Sequence, residues 1–330
     1  MSLVRTLWST SSVALAAAAL LTAQVYAQEA APEAASGPVP QAAAASSQQA
    51  EPAGLVEEVI VRGQRMSEIE FDIRDYIRDF IGEVVALPPG GGFARWHTNV
   101  CIGVHNLEKS SAQYVVDRIS YLAQDVGLEP GEPGCSPDVV IIFTTDANQL
   151  ATDLVENEPR MFRPGGGVCC MQLGLDALDN FVESDAAVRW WHVSVPVDAL
   201  LGQRAIRLPQ DDTYPVISVA GPSRIHRGTR DDMYRVIIIV DGTKLTGTTW
   251  EQIGDYLAVV SLAQVQPNTD PTAFDSILNL FSNPAAYSGL TDWDRYFVHA
   301  LYSISQERGI HFQGNQVVSA MAELELNSEE

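Results

Sequence analysis

Three side chains stand where chemistry could be done. Asp241 closes the apolar run "YRVIIIVDG", Asp255 lies in the first half of "DYLAVVSLAQV", and His192 lies in "RWWHVSVPV". An ionisable group in such surroundings must be hydrogen-bonded, ion-paired or shifted in pKa. The first two outcomes are structural, and the third is what acid–base catalysis requires. Asp241, Asp255 and His192 are therefore the candidate catalytic residues, and a hydrolase built on them is one reading of the chain.

Other patterns resolve differently. "SRIHRGTRDD" places Arg224, Arg227 and Arg230 in one loop, the concentrated basic patch of an acidic chain. It is either an anion or partner contact or a solvated loop neutralised by Asp231 and Asp232. His97, Cys101 and His105 recur every fourth residue and resemble a ligand set. On an extended strand, however, the histidines lie ~26 Å apart and each ~13 Å from the cysteine, too far to share a metal bonded at ~2 Å. The glycine triplets 90–92 and 165–167 lack the Lys-Ser/Thr of a phosphate loop and read as turns. Ser218 and His226 sit on no nucleophile turn of the G-x-S-x-G type. The residues call for no metal and no cofactor.

The elements that must position these groups follow from periodicity. Residues 67–86 place Ile69, Ile73, Ile77, Phe80 and Val84 on one helical face, with Ser67 as N-cap. A period-two strand over 97–105, a helix over 110–127 and a buried strand over 138–145 fit a crossover joining two parallel strands. A helix over 146–158 and strands at 189–197, 215–221 and 234–242 follow. Residues 249–265 form a buried helix opened by the capping box Thr249/Gln252. A shorter helix lies near 272–281. Residues 291–309 form a helix capped by Thr291, with Trp293, Tyr296, Phe297, Ala300, Leu301 and Ile304 inward. The acidic end, "AELELNSEE", reads as frayed. The fold class is mixed α/β (α+β): one domain, residues 67–330, with a mixed sheet packed by helices.

The leader sets the compartment. Arg5 is the one charge before an apolar run too short to span a bilayer, and Val25 and Ala27 form a signal-peptidase pattern, so residues 1–27 read as a signal peptide. Removing Arg5 from the 20 basic residues leaves 19 against 42 acidic ones, a net of −23. That charge repels phosphate backbones and argues against nucleic-acid partners. No later stretch is long enough for a membrane span. Four cysteines in an oxidising compartment imply disulfides. Cys101–Cys135 is the preferred pair because the neighbours Cys169 and Cys170 rarely bond each other. Residues 28–54 read as an Ala/Pro linker, and residues 55–66 as an extended segment.

Two resemblances complete the reading. "DYLAVVSLAQV", then "SILNLF", then "LTDWDRYFVHALYS" is similar in order to the metzincin zinc proteases: a buried helix, a turn, and a helix opening "LT-x-x-D" and ending "LY". The resemblance implies a zincin-like fold. The positions of the zinc ligands hold Asp255, Val259 and Val265, that of the general base Tyr256, and that of the turn methionine Leu278, so it brings no catalytic residue across. The same ending resembles secreted proteobacterial proteins of unknown function. "VEEVIVRGQR" resembles the TonB box of outer-membrane receptors, with Arg62 where threonine is usual. It implies that Val59, Ile60, Val61 and Arg62 contact an envelope partner as an added strand. A receptor itself needs a barrel of about 22 strands, for which the chain lacks the alternating segments. The function expected is that of an exported, periplasmic or secreted, non-catalytic binding or envelope-interaction protein.

Overall fold

The computed structural model describes residues 53–87, 91–162, 173–204 and 227–328. Its first element, α1, is a 32-residue helix, Ala53–Val84. Residues 55–66 are therefore helical where an extended segment was expected, and Ser67 lies inside the helix instead of capping it. The reason is cooperative. Ile77, Phe80 and Val84 anchor the downstream turns in the core. Each residue added upstream then gains a hydrogen bond without a new nucleus. Leu55, Glu57, Glu58 and Arg62 are good helix formers, and the β-branched Val59, Ile60 and Val61 oppose them by only tenths of a kcal/mol each.

After α1 come β1 (Asn99–Val100), β2 (Ile102–His105), α2 (Lys109–Asp125), β3 (Glu129–Pro130), β4 (Val139–Thr144) and α3 (Ala147–Asn157). Then follow α4 (Pro159–Phe162), α5 (Gly174–Glu183), β5 (Val188–Asp198), β6 (Thr229–Asp241), α6 (Trp250–Leu262), α7 (Asp292–Ser303) and α8 (Ile310–Ser328). The main sheet has the order β2-β4-β6-β5. β2, β4 and β6 are parallel, with Ile102 opposite Val139 and Val139 opposite Val236. β5 is antiparallel to β6 and bulges between Val193 and Ser194. The sheet is thus mixed, and the expected crossover from β2 through α2 to β4 is present. The expected strand over 97–105 breaks into β1 and β2 at Cys101, which is bonded to Cys135 with 6.1 Å between Cα atoms.

Period two explains the apolar run of β6. Val236, Ile238 and Val240 belong to one core with Ile119 of α2 and Leu257 and Val260 of α6. Ile237 and Ile239 belong to a second core with Ala147 and Ala151 of α3, Phe162, Phe181 and Trp191. Helices therefore cover both faces of the sheet, which is why the strand is apolar at every position.

Helix α6 opens with the expected capping box, Thr249 with Gln252, and α7 with the expected cap Thr291, which Asp294 completes into a second box. Two short 3-10 turns, Pro271–Ala273 and Ile277–Asn279, stand where a helix near 272–281 was expected. Asp294 is the cause: its fully buried carboxylate draws in the Ile277 N–H at 2.8 Å and the Ser276 hydroxyl at 2.6 Å. The acidic end, expected to fray, is helical through Ser328. Val317, Val318, Met321 and Ala322 of α8 are buried, and this helix packs on α7. Among the described residues no helix is long and apolar enough to cross a membrane.

Candidate functional site

The three candidate catalytic groups are each occupied by the fold. Asp241 ends β6 and accepts from Thr243 through its amide at 3.0 Å and its hydroxyl at 2.6 Å, capping the turn that follows. Asp255 points from α6 to α2. Its Oδ1 accepts from Arg118 Nε at 2.8 Å, and its Oδ2 takes Arg118 Nη2 and the Leu290 N–H, the latter at 2.7 Å. His192 lies inside the protein with Nε2 2.7 Å from the Val260 carbonyl. A carbonyl only accepts, so Nε2 carries the proton. Burial lowers this imidazole to about 4, keeping it neutral.

His192 has a structural duty. A helix leaves its last carbonyls without intrahelical donors. In α6, His192 serves Val260, Trp96 serves Ser261 at 2.8 Å, and Tyr302 serves Leu262 at 2.9 Å. His192 pairs across the sheet with Val236, five residues before Asp241, a separation of about 16 Å along the strand. The three groups do not converge.

The basic loop is reorganised too. Arg230 is buried, and its guanidinium holds Asp232 at 2.8 Å and the Ala199 carbonyl at 2.5 Å. It is a strut between strand ends, not a free cation. The Arg227 amide donates to Glu307 O at 2.6 Å. Arg224, Ser218, His226, Cys169, Cys170, the triplet 165–167 and the strand expected at 215–221 lie outside the described residues, as do the signal peptide and all but the last two linker residues. Val59, Ile60, Val61 and Arg62 lie in α1. Among the described residues, no three His, Cys, Asp or Glu side chains come together as a metal site.

What the fold does build is a cleft of about 860 Å³ at the carboxyl ends of the parallel strands. Asn106 follows β2, Phe143 and Thr144 end β4 with Thr145 after them, and Thr248 and Trp250 come from the entry to α6. Its position has a topological cause. β2 is followed by α2, on the face shared with α6, whereas β4 is followed by α3 on the opposite face. Where successive connections diverge in this way, the loops part and leave a crevice, the usual ligand site of open α/β sheets. Among the described residues, no ionisable side chain lines it.

No known family model, curated protein or solved structure matches the chain.

The cleft is thus judged on its own geometry. Its floor is apolar: Phe143 is buried, and its ring meets Trp250 edge-on with centroids 6.0 Å apart. Trp250 is 39% exposed, so the indole is supported from behind and open in front. Asn106 is the one non-glycine residue with positive φ (59°) among the described residues. Asparagine tolerates this left-handed conformation better than most, and such strain concentrates at functional loops. These positions carry no ionisable group, so nothing in their residue types marks them in the sequence. The available signal was the crossover itself, which points to the residues just after β2 and β4.

Proposed function

We propose that the protein is an exported, non-catalytic binding protein whose mixed α/β domain holds a small ligand in the cleft between β2, β4 and the start of α6. One observation carries this reading: among the described residues the open cleft is lined by hydroxyl, amide, aromatic and aliphatic groups, with no ionisable side chain. Binding needs no more than that, whereas hydrolysis needs a base or an activated nucleophile. The disulfide and the absence of a membrane-spanning helix among the described residues are compatible with export.

The metzincin-like order of parts supports a domain with the scaffold of a protease and none of its chemistry. In the chain the buried helix α6 is followed by the turn 277–279 and then α7. Val259 and Val265, at its ligand positions, are fully buried in the core, and Asp255 is tied to Arg118. A partner contact through residues 55–65 belongs to the same proposal. Its support is α1, whose exposed Ile69 lies one turn before Ile73 on the face that packs on the core. Such a contact would use a helix face, or would require the helix to open before a strand could be added.

A thermal-shift screen of small molecules tests the reading, with Trp250→Ala as the control. Compounds that raise the midpoint of the wild type and not of the variant support it. Hydrolytic turnover that vanishes in a folded Asp241→Asn or Asp255→Asn protein would overturn it, as would stoichiometric zinc in the purified protein.

A further inference from the structure

We infer that the ligand of this cleft is a neutral saccharide, a refinement that rests on the binding reading above. Charge narrows the choices first. Among the described residues of the lining, a bound anion would find no cationic side chain and a bound cation no carboxylate; an unpaired charge placed against them loses hydration with nothing in return. The chain's net charge of −22 disfavours anions further.

Hydrogen bonding narrows them again. The Thr248 hydroxyl donates to Leu245 O at 2.7 Å, so towards the cleft it offers lone pairs. The Thr144 hydroxyl accepts from the Asp146 amide at 3.1 Å and keeps a second lone pair. Asn106 brings a carboxamide with two donors and an acceptor, and its side chain makes no hydrogen bond within the described residues. Thr145 adds a further hydroxyl. A partner for this set must present donors and acceptors together around its rim, as the hydroxyls of a sugar ring do.

Shape narrows them last. Trp250, met edge-on by Phe143 and 39% exposed, supplies an aromatic plate in the lining. The apolar C–H face of a pyranose lies flat on such a plate while its equatorial hydroxyls reach the threonines and the amide. The cleft volume of about 860 Å³ is at the large end for small-ligand sites, roughly 300–1,000 Å³, and suits a short oligosaccharide better than a single ring.

The test titrates the full mature chain with maltotetraose and, separately, with the β-1,4 tetramer of N-acetylglucosamine, reading tryptophan fluorescence. Saturable binding of either sugar is expected. Trp250→Ala should weaken it at least about tenfold, which is 1.4 kcal/mol. Asn106→Gly is the second variant: glycine suits the positive φ, so the fold is kept while the amide is lost, and affinity should again fall. Binding unchanged in both variants would overturn the location. Failure of both sugars to bind overturns the saccharide assignment. If another compound or inorganic phosphate then binds in a Trp250-dependent way, the cleft reading survives that failure. If no compound in the screen depends on Trp250, the cleft reading falls as well.

Discussion

Replacing Arg118 by methionine should destabilise the fold by about 3 kcal/mol. Asp255 is 5% exposed at its side chain and Arg118 30%. Methionine keeps much of the arginine's apolar stem and removes the charge. The carboxylate then stays buried with the Leu290 amide as its remaining named donor. Breaking a buried pair from one side costs about 3–5 kcal/mol, and the partial exposure of Arg118 moves the figure to the lower end. In a domain of this size that lowers the melting midpoint by roughly 6–12 °C. Asp255→Asn keeps an acceptor for Leu290 and should cost less. In the double variant no buried charge is left uncompensated, so its cost should be less than the sum of the two. Urea unfolding followed by circular dichroism, run as a double-mutant cycle, measures the coupling. Arg118→Met within about 0.5 kcal/mol of the wild type, the range of an ordinary surface change, would refute the assignment of Asp255 as a strut between α2 and α6.

Two buried groups should give opposed pH dependences. His192 falls from 6.5 to about 4 through burial. Its contribution is present above pH 6.5 and lost as pH falls towards 4. Asp294 rises from 3.8 to about 6 through burial, against its hydrogen bonds. Its contribution is present below pH 3.8 and lost as pH rises through 6. Each spans roughly two units, or ~3 kcal/mol, so they nearly cancel between pH 4 and 6. Unfolding of Asp294→Asn at pH 4 and pH 7 should therefore show about 3 kcal/mol more acid sensitivity than the wild type; an unchanged difference would contradict this. Gly131→Ala would place a Cβ 2.5 Å from Cys135 Sγ and 3.1 Å from Cys101 Cβ. Mass spectrometry after thiol alkylation should find a smaller fraction of the Cys101–Cys135 bond formed. Met321→Ala, at a residue 1% exposed in α8, should cost about 2–5 kcal/mol in urea unfolding; a cost near zero would mean that the acidic end is not packed.

How far the sequence revealed the fold depends on where the determining forces lie. Local rules announced α6 and α7: each opens with a threonine cap, and in α6 Gln252 answers it three residues later. The parallel crossover was legible because a covered strand is apolar throughout. The pairing of Cys101 with Cys135 followed from elimination. The misses share a tertiary cause. α1 grows backwards from an anchor at Ile77–Val84, which the propensity of residues 55–65 does not show. The turns at 271–279 are held by Asp294, whose burial no local pattern shows. α8 hides a short apolar stripe in an acidic context. The cleft was least legible. Asn106 and Thr144 come from the ends of two strands and Trp250 from the start of α6, far apart in the chain, and none of them titrates. Asp241, Asp255 and His192 drew attention as buried polar groups, and the fold uses each of them for its own hydrogen bonds.

Backbone and indole NMR resonances, followed while the β-1,4 tetramer of N-acetylglucosamine and then maltotetraose are added, test the account most directly. The prediction is saturable shifts centred on Asn106, Thr144, Thr145, Thr248 and the Trp250 indole N–H, with both sugars intact after prolonged incubation. Shifts centred on His192, Asp241 or Asp255, or cleavage of either sugar, would contradict it.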